Sequence, residues 1–275
     1  MSLEAWNAFW ALLAFAYGGV TGSFLNVCIW RIPRGESIVR PGSHCPKCGR
    51  AIAWYDNIPV MSWLLLGARC RHCAQRISAC YPIVELLTAL LFLGIWMKYG
   101  FDLRTPVFAL MAAGLIFGSG VDLRYYILPD RVTVGGILLG LLVSPWIPLL
   151  HGASTMREGF ISSLTGFAVG FFGLWTVRWA GRMIFQKEAM GFGDVKLMGA
   201  VGALMGWPAV VFTVTVSSLF GSLVGLSLIL AGKRKWQSRL PFGPFIAAAA
   251  MLWALGGREA FFAYWTWASG AGGPS

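Results

Sequence analysis

Eight stretches of this chain, at 6–30, 82–99, 105–121, 132–150, 159–180, 194–206, 208–231 and 244–267, are apolar and nearly free of charge. Most approach the roughly 20 residues that a helix needs to cross a bilayer. A backbone in lipid must satisfy its own amides within the segment, so such runs form helices. Only 12% of the residues are charged and 57% are hydrophobic, against about 25% charged in soluble domains. A disordered chain, a collagen, a small disulfide scaffold and an ordinary cytosolic enzyme are thereby excluded. The sequence predicts an all-α polytopic membrane protein with about eight transmembrane helices. The run 194–206 is short for a crossing, and Gly206-Trp207-Pro208 after it reads as a turn.

The chain carries 22 Lys+Arg against 11 Asp+Glu, a net charge of +11. In a soluble protein this excess would suggest nucleic acid as a partner. In a membrane protein it marks cytoplasmic loops instead, and no nucleic-acid partner is expected. Eighteen of the 22 basic residues fall in 31–80, 122–131, 178–196 and 233–239, which share one side if the spans alternate. The first span has Glu4 before it and Arg31 and Arg34 after it, the reverse of a signal peptide. Both termini are therefore expected outside the cytoplasm. The division expected is a first helix at 1–30, a cytoplasmic insert at 31–80, a membrane domain at 81–268 and a flexible end at 269–275.

The insert is the one soluble-looking segment. It contains Cys45-Pro46-Lys47-Cys48 and Cys70-Arg71-His72-Cys73. Two such knuckles have zinc-ribbon spacing, each presenting two thiolates on a tight turn. Four soft ligands with no open position imply a structural zinc. Two disulfides are the alternative, disfavoured because basic charge places the insert in the reducing cytoplasm. His44 and His72 flank the knuckles, but four cysteines suffice. Cys28 and Cys80 read as small buried apolar residues.

With few acidic residues, each can be weighed. Glu4, Glu36, Asp56, Asp102, Glu158, Glu188 and Glu259 read as surface charges. Four others lie at span ends or within spans, where carboxylates are functional candidates. Asp130, in Pro129-Asp130-Arg131, reads first as an N-cap. Asp122 ends a helix, where a negative charge opposes the macrodipole. Asp194 follows Gly191-Phe192-Gly193, whose glycines permit close approach of another backbone. Glu85 lies one turn inside the second span, and pairing with an arginine is its bland reading. Asp122 and Asp194 share the cytoplasmic depth, which suggests an aspartic protease dyad holding one proton. A cation transporter using the same pair, and a non-enzymatic scaffold built on the insert, are competing readings. Lys196 would either tune the dyad or snorkel to lipid headgroups.

These residues, in this order, resemble the type IV prepilin peptidases of type IV pilus and type II secretion systems. The resemblance rests on Gly22-Ser23-Phe24-Leu25-Asn26-Val27 leading to Arg31-Ile32-Pro33, and on the paired knuckles with Trp54 to Pro59 and Ser62-Trp63 between them. It continues through Ser78, Tyr81-Pro82-Ile83-Val84-Glu85-Leu86 and Leu128-Pro129-Asp130, and ends with Gly191-Phe192-Gly193-Asp194-Val195-Lys196-Leu197. It implies that Asp122 and Asp194 are the catalytic aspartates of a GxGD peptidase and that the four cysteines hold zinc. It further implies a bacterial inner-membrane enzyme that removes a short basic leader from prepilins or pseudopilins after a glycine. The enzyme would then methylate the new N-terminus, usually Phe, from S-adenosylmethionine. Gly191, Gly193, Lys196, Glu85 and Asp130 are the supporting residues expected, with Glu85 as a third functional carboxylate that binds substrate or the sulfonium of the methyl donor. Membrane lipid is the other partner, and the face of Gly18, Gly19 and Gly22 is a candidate seat for the substrate helix.

Overall fold

A computed structural model describes residues 3–186, 190–232 and 240–269. Glu188, the basic run 233–239 and the Gly-rich end from Gly270 lie outside the described residues. The helices are α1 (Leu3–Arg31), α2 (Met61–Leu65), α3 (Cys80–Tyr99), α4 (Arg104–Tyr125), α5 (Asp130–Val143), α6 (Met156–Phe185), α7 (Phe192–Met205), α8 (Trp207–Leu230), α9 (Gly243–Leu252) and α10 (Arg258–Ala268). Among the described residues, six segments are long and apolar enough to cross a membrane: Glu4–Arg34, Cys80–Tyr99, Arg104–Tyr125, Met156–Ile184, Trp207–Leu230 and Gly243–Ala268. Two further helices of 14 residues each, α5 and α7, occupy the other two apolar runs and fall short of the length of a span. The chain divides into two compact units, Met1–Phe117 and Gly118–Ser275, with the boundary inside α4.

Three boundaries differ from the sequence pattern. The fourth apolar run stops as a helix at Val143 rather than 150, because Pro145 and Pro148 cannot continue it. The last run is interrupted by a π-turn at Trp253–Gly257, which contains the Gly256-Gly257 pair. Asp130 is the first residue of α5 rather than its cap; Pro129 holds the cap position and no side chain caps the helix.

In the first unit, α1 and α3 run antiparallel in backbone contact. A Cβ on Gly18 would come within 2.8 Å of the Ala89 Cα, and one on Gly22 within 2.7 Å of the Glu85 Cα. The small-residue face proposed for a substrate helix is therefore already filled, by α3 at Gly18 and Gly22 and by Pro59 at Gly19. Asn26 donates its side-chain N–H to the Tyr81 carbonyl, 3.0 Å, and fixes the register. Trp10, Trp96 and Phe101 pack together at the other end of the pair, with Phe101 edge-on to both indoles.

The second unit is organised around α7. Nearly every residue of this helix from Asp194 onward is buried, as expected of a helix that is apolar all round. Glycines on both sides bring neighbouring backbones to it. Gly166 and Gly170 of α6 leave no room for a Cβ against Gly202 and Met198 of α7, whose carbonyl oxygens would lie 2.1 and 2.4 Å away. On the other side, Gly140 of α5 lies against Ala203, where a Cβ would meet the chain at 2.7 Å. The Ala203 carbonyl accepts from Ser163 Oγ of α6 at 2.7 Å and from Ser144 Oγ at 3.3 Å. Gly206, at φ +83°, turns the chain from α7 into α8, where the sequence placed a turn.

Candidate active site

The Gly191-Phe192-Gly193-Asp194 segment forms the first turn of α7. Gly191 is the cap and Asp194 the third helical residue. From that position the Asp194 carboxylate reaches back to the Gly191 N–H, the acidic half of a capping box. Gly191 lies so close that a Cβ would come within 3.2 Å of Asp194 Oδ2. Gly193 faces Leu128, whose Cβ would be 2.9 Å from an added Cβ. The two glycines thus have separate tasks: one leaves room for the carboxylate and the other seats the 126–129 turn.

Asp122 lies in the last turn of α4 and is buried, as is Asp194. The two are near enough for the charge of one to act on the other. Asp122 Oδ2 accepts the N–H of Gly243 at 2.9 Å. That N–H belongs to the first turn of α9, where free amides and the helix dipole favour an anion. This partner resolves the unfavourable position of Asp122 at its own helix C-terminus. Gly243 has to be glycine, since a Cβ would meet Asp122 Oδ2 at 2.8 Å and Leu128 Cδ2 at 3.1 Å. The sequence reading missed Gly243. The available signal was Pro241-Phe242-Gly243-Pro244, a helix start directly after a basic loop.

Lys196 and Asp130 form an ion pair between α7 and α5. The ammonium also lies 5.2 Å from the Phe192 ring centroid, and Arg178 approaches the same ring at 5.3 Å. Neither residue of this pair is buried.

Glu85 belongs to the first unit. It is buried on α3 and accepts the Val60 N–H at 2.8 Å and the Ser23 hydroxyl. These donors take the place of the arginine that the sequence suggested. Val60 is held at φ +62°, an outlier for a β-branched residue.

The four knuckle cysteines converge. The Sγ atoms of Cys45, Cys48, Cys70 and Cys73 all lie within 4.8 Å of one another, and Cys45 and Cys73 are 3.8 Å apart. Tetrahedral zinc with Zn–S bonds of about 2.3 Å requires sulfurs about 3.8 Å apart, so the cluster fits that ion. The backbone N–H groups of Cys48 and Lys47 point at Cys45 and lower its thiol to about 6; Cys73 and His72 lower Cys70 in the same way. The first thiol of each knuckle therefore favours the thiolate that a metal needs, whereas at Cys73 the Gln75 N–H is outweighed by burial and the other three sulfurs, which push the thiol up to about 11. Asp56 and Arg71 lock the Trp54–Asn57 turn to the second knuckle through a two-pronged ion pair at 2.7 and 2.6 Å. Arg71 holds the Asp56 carboxyl below the usual range.

Two buried carboxylates, presented by the ends of membrane helices and each anchored by a backbone amide, are the equipment of an aspartic peptidase at membrane depth. The comparisons carry the assignment further. Residues 16–99 match the bacterial peptidase A24 N-terminal domain, and residues 109–226 match the type IV leader peptidase family. The chain belongs to that leader peptidase family. It is 41% identical over 224 residues to a prepilin leader peptidase/N-methyltransferase of Myxococcus xanthus, covering 82% of this chain and 64% of that protein. It is 33% identical to a protein of the same name from Pseudomonas putida, covering 92% of this chain and 93% of the relative. An Aeromonas hydrophila relative of that name is 36% identical, with 88% and 90% covered. No solved structure matches the chain.

Proposed function

We propose that this chain cleaves the basic leader from type IV prepilins and type II secretion pseudopilins after a glycine, and then methylates the new N-terminal amine. The observation that carries the peptidase half is the Asp122–Asp194 pair, buried and amide-anchored at the ends of two helices. Two close carboxylates share one proton. The ionised one takes a proton from water, whose oxygen adds to the scissile carbonyl. The protonated one donates to the carbonyl oxygen, and a proton then passes to the departing amine as the C–N bond breaks. Gly191, Gly193, Lys196 and Asp130 support this geometry. Glu85 serves the first unit, where the Val60 N–H and the Ser23 hydroxyl already engage it.

The four-cysteine site holds a structural zinc, and S-adenosylmethionine supplies the methyl group. The protein sits in the bacterial inner membrane among lipid, with the insert and both aspartates at the cytoplasmic face and the termini outside. A leader on the cytoplasmic side of a substrate helix then meets the dyad at the depth where the helix emerges.

The test is cleavage of a purified prepilin by the detergent-solubilised enzyme, with leader loss and methyl gain read by mass spectrometry. Asp122→Asn and Asp194→Asn are each expected to lower cleavage by about 10³-fold or more, while zinc stays bound. Cleavage at the wild-type rate by both variants would reject the aspartic mechanism.

A further inference from the structure

The insert between α1 and α3 reads as a soluble zinc module, yet part of it does not behave as one. Asp56 and Arg69 bracket twelve residues, 57–68, without a charge, and Ile58, Pro59, Val60, Met61, Trp63, Leu64, Leu65 and Leu66 fall among them. This segment turns back along the helix pair. Pro59 touches the Gly19 position of α1, where a Cβ would lie 3.4 Å from its Cβ. Gly19 is twelve residues before the end of α1, about 18 Å at 1.5 Å per residue. The adjoining Gly18 faces Thr88 and Ala89, which lie about 12 Å beyond the first residue of α3 by the same rise. Both measures place Pro59 well below the level at which α3 begins.

Much of the backbone there is hydrogen-bonded, as lipid requires. Val60 donates to buried Glu85 at 2.8 Å. Met61 donates to the Pro59 carbonyl and Ser62 to that of Ile58, while Leu64, Leu66, Gly67 and Ala68 bond back to Val60, Ser62, Leu64 and Trp63. The Trp63 indole N–H donates to the Ile77 carbonyl at 3.2 Å. The side chains facing outward are the opposite of what water would select. Met61, Leu64 and Leu65 share one helical face and are 55, 59 and 81% exposed. Val20 and Phe24 of α1 and Ile83 and Leu87 of α3 are exposed apolar residues on the same helix pair.

We infer that residues 58–66 form a membrane-dipping element whose Met61–Leu64–Leu65 face lies in the acyl chains of the cytoplasmic leaflet. The inference rests on the orientation proposed above for the side of the membrane, but the contact with lipid does not. The buried Glu85–Val60 bond anchors the tip of the dip. Arg69 and Arg76 follow in sequence, and long cationic side chains there suit anionic headgroups.

The full-length enzyme would be placed in nanodiscs containing a phospholipid with a photoreactive diazirine on its acyl chain. After illumination, adducts would be mapped by mass spectrometry. Labelling of 61–66 is expected within about threefold of that of the lipid-facing α1 stretch 12–17, and about tenfold above that of the knuckle loops. Hydroxyl-radical footprinting of the same discs should leave Met61 unoxidised. Adducts at 61–66 no higher than at the knuckles, together with oxidised Met61, would show a water-exposed face and overturn the inference. Neither adducts nor oxidation would show the face covered by protein and overturn it equally. Loss of prepilin cleavage in Asp194→Asn does not bear on this readout, so the two proposals fail separately.

Discussion

Each unit buries carboxylate at membrane depth, and the two do so differently. In the first, Glu85 is engaged by a backbone N–H and a hydroxyl, and its environment is that of an anchor. In the second, Asp122 and Asp194 each receive a backbone amide from a helix start and lie near enough for one charge to act on the other. A carboxylate whose donors come from the segment it holds in place is structural. A pair of like charges kept close by rigid helix ends has no structural advantage, since the repulsion is destabilising. Burial alone does not separate these cases; the nearness of a second carboxylate does.

The comparison can be broken at several points. The largest effect expected is the loss of cleavage in Asp122→Asn or Asp194→Asn; Glu85→Gln should stay within about threefold of wild-type kcat. A Glu85→Gln variant as dead as the dyad variants would place Glu85 in the chemistry. Next is Gly243→Ala. It should lower kcat by about 10²-fold, the scale of a misplacement near 1 Å, with KM little changed and methylation of a pre-cleaved pilin retained. Adding Leu128→Ala relieves the apolar contact but not the one with Asp122, so cleavage should stay low. Its recovery would reduce Gly243 to packing.

Smaller effects concern stability. Glu85→Gln leaves the Val60 amide a weaker acceptor and should cost about 1–3 kcal/mol, read as a lowered melting temperature in detergent. The smallest is a pH effect at His151, in the turn between α5 and α6. Burial and the nearby Arg258 lower this imidazole to about 4. An unfolded histidine takes a proton near 6.5, whereas the folded one resists until about 4. Its contribution to stability is present above pH 6.5 and is lost as pH falls towards 4. The melting temperature of wild type should therefore drop more between pH 7.5 and 5 than that of His151→Gln. Equal drops would show that the imidazole takes up its proton normally.

Much of this was legible in the residues. The apolar runs, the knuckle spacing and the two aspartates each follow from local chemistry, because lipid removes alternatives to the helix and thiolates at fixed spacing close around a metal. What was not legible is what depends on distant partners. Gly243 is 121 residues from Asp122, and no periodicity connects them. Gly18 and Gly22 were visible as a small-residue face, but the sequence does not say which helix takes it. The end of α5 was misplaced because hydropathy passes over Pro145 and Pro148, while helix geometry does not. The π-turn before Arg258 was hidden in the same way: Gly256-Gly257 preserves an apolar profile and breaks a helix.

The contacts of α7 have a further consequence. At Gly166, Gly170 and Gly140 the neighbouring helices meet it through main-chain atoms. At those points the height of Asp194 is set by peptide geometry, which is the same for every amino acid, rather than by the shapes of packed side chains. The outer faces of α5 and α6 can exchange one apolar residue for another, to suit bilayers of different thickness or composition, without retuning the position of the carboxylate. The tolerance ends at the three glycines, where a single methyl group would move the helix that carries it.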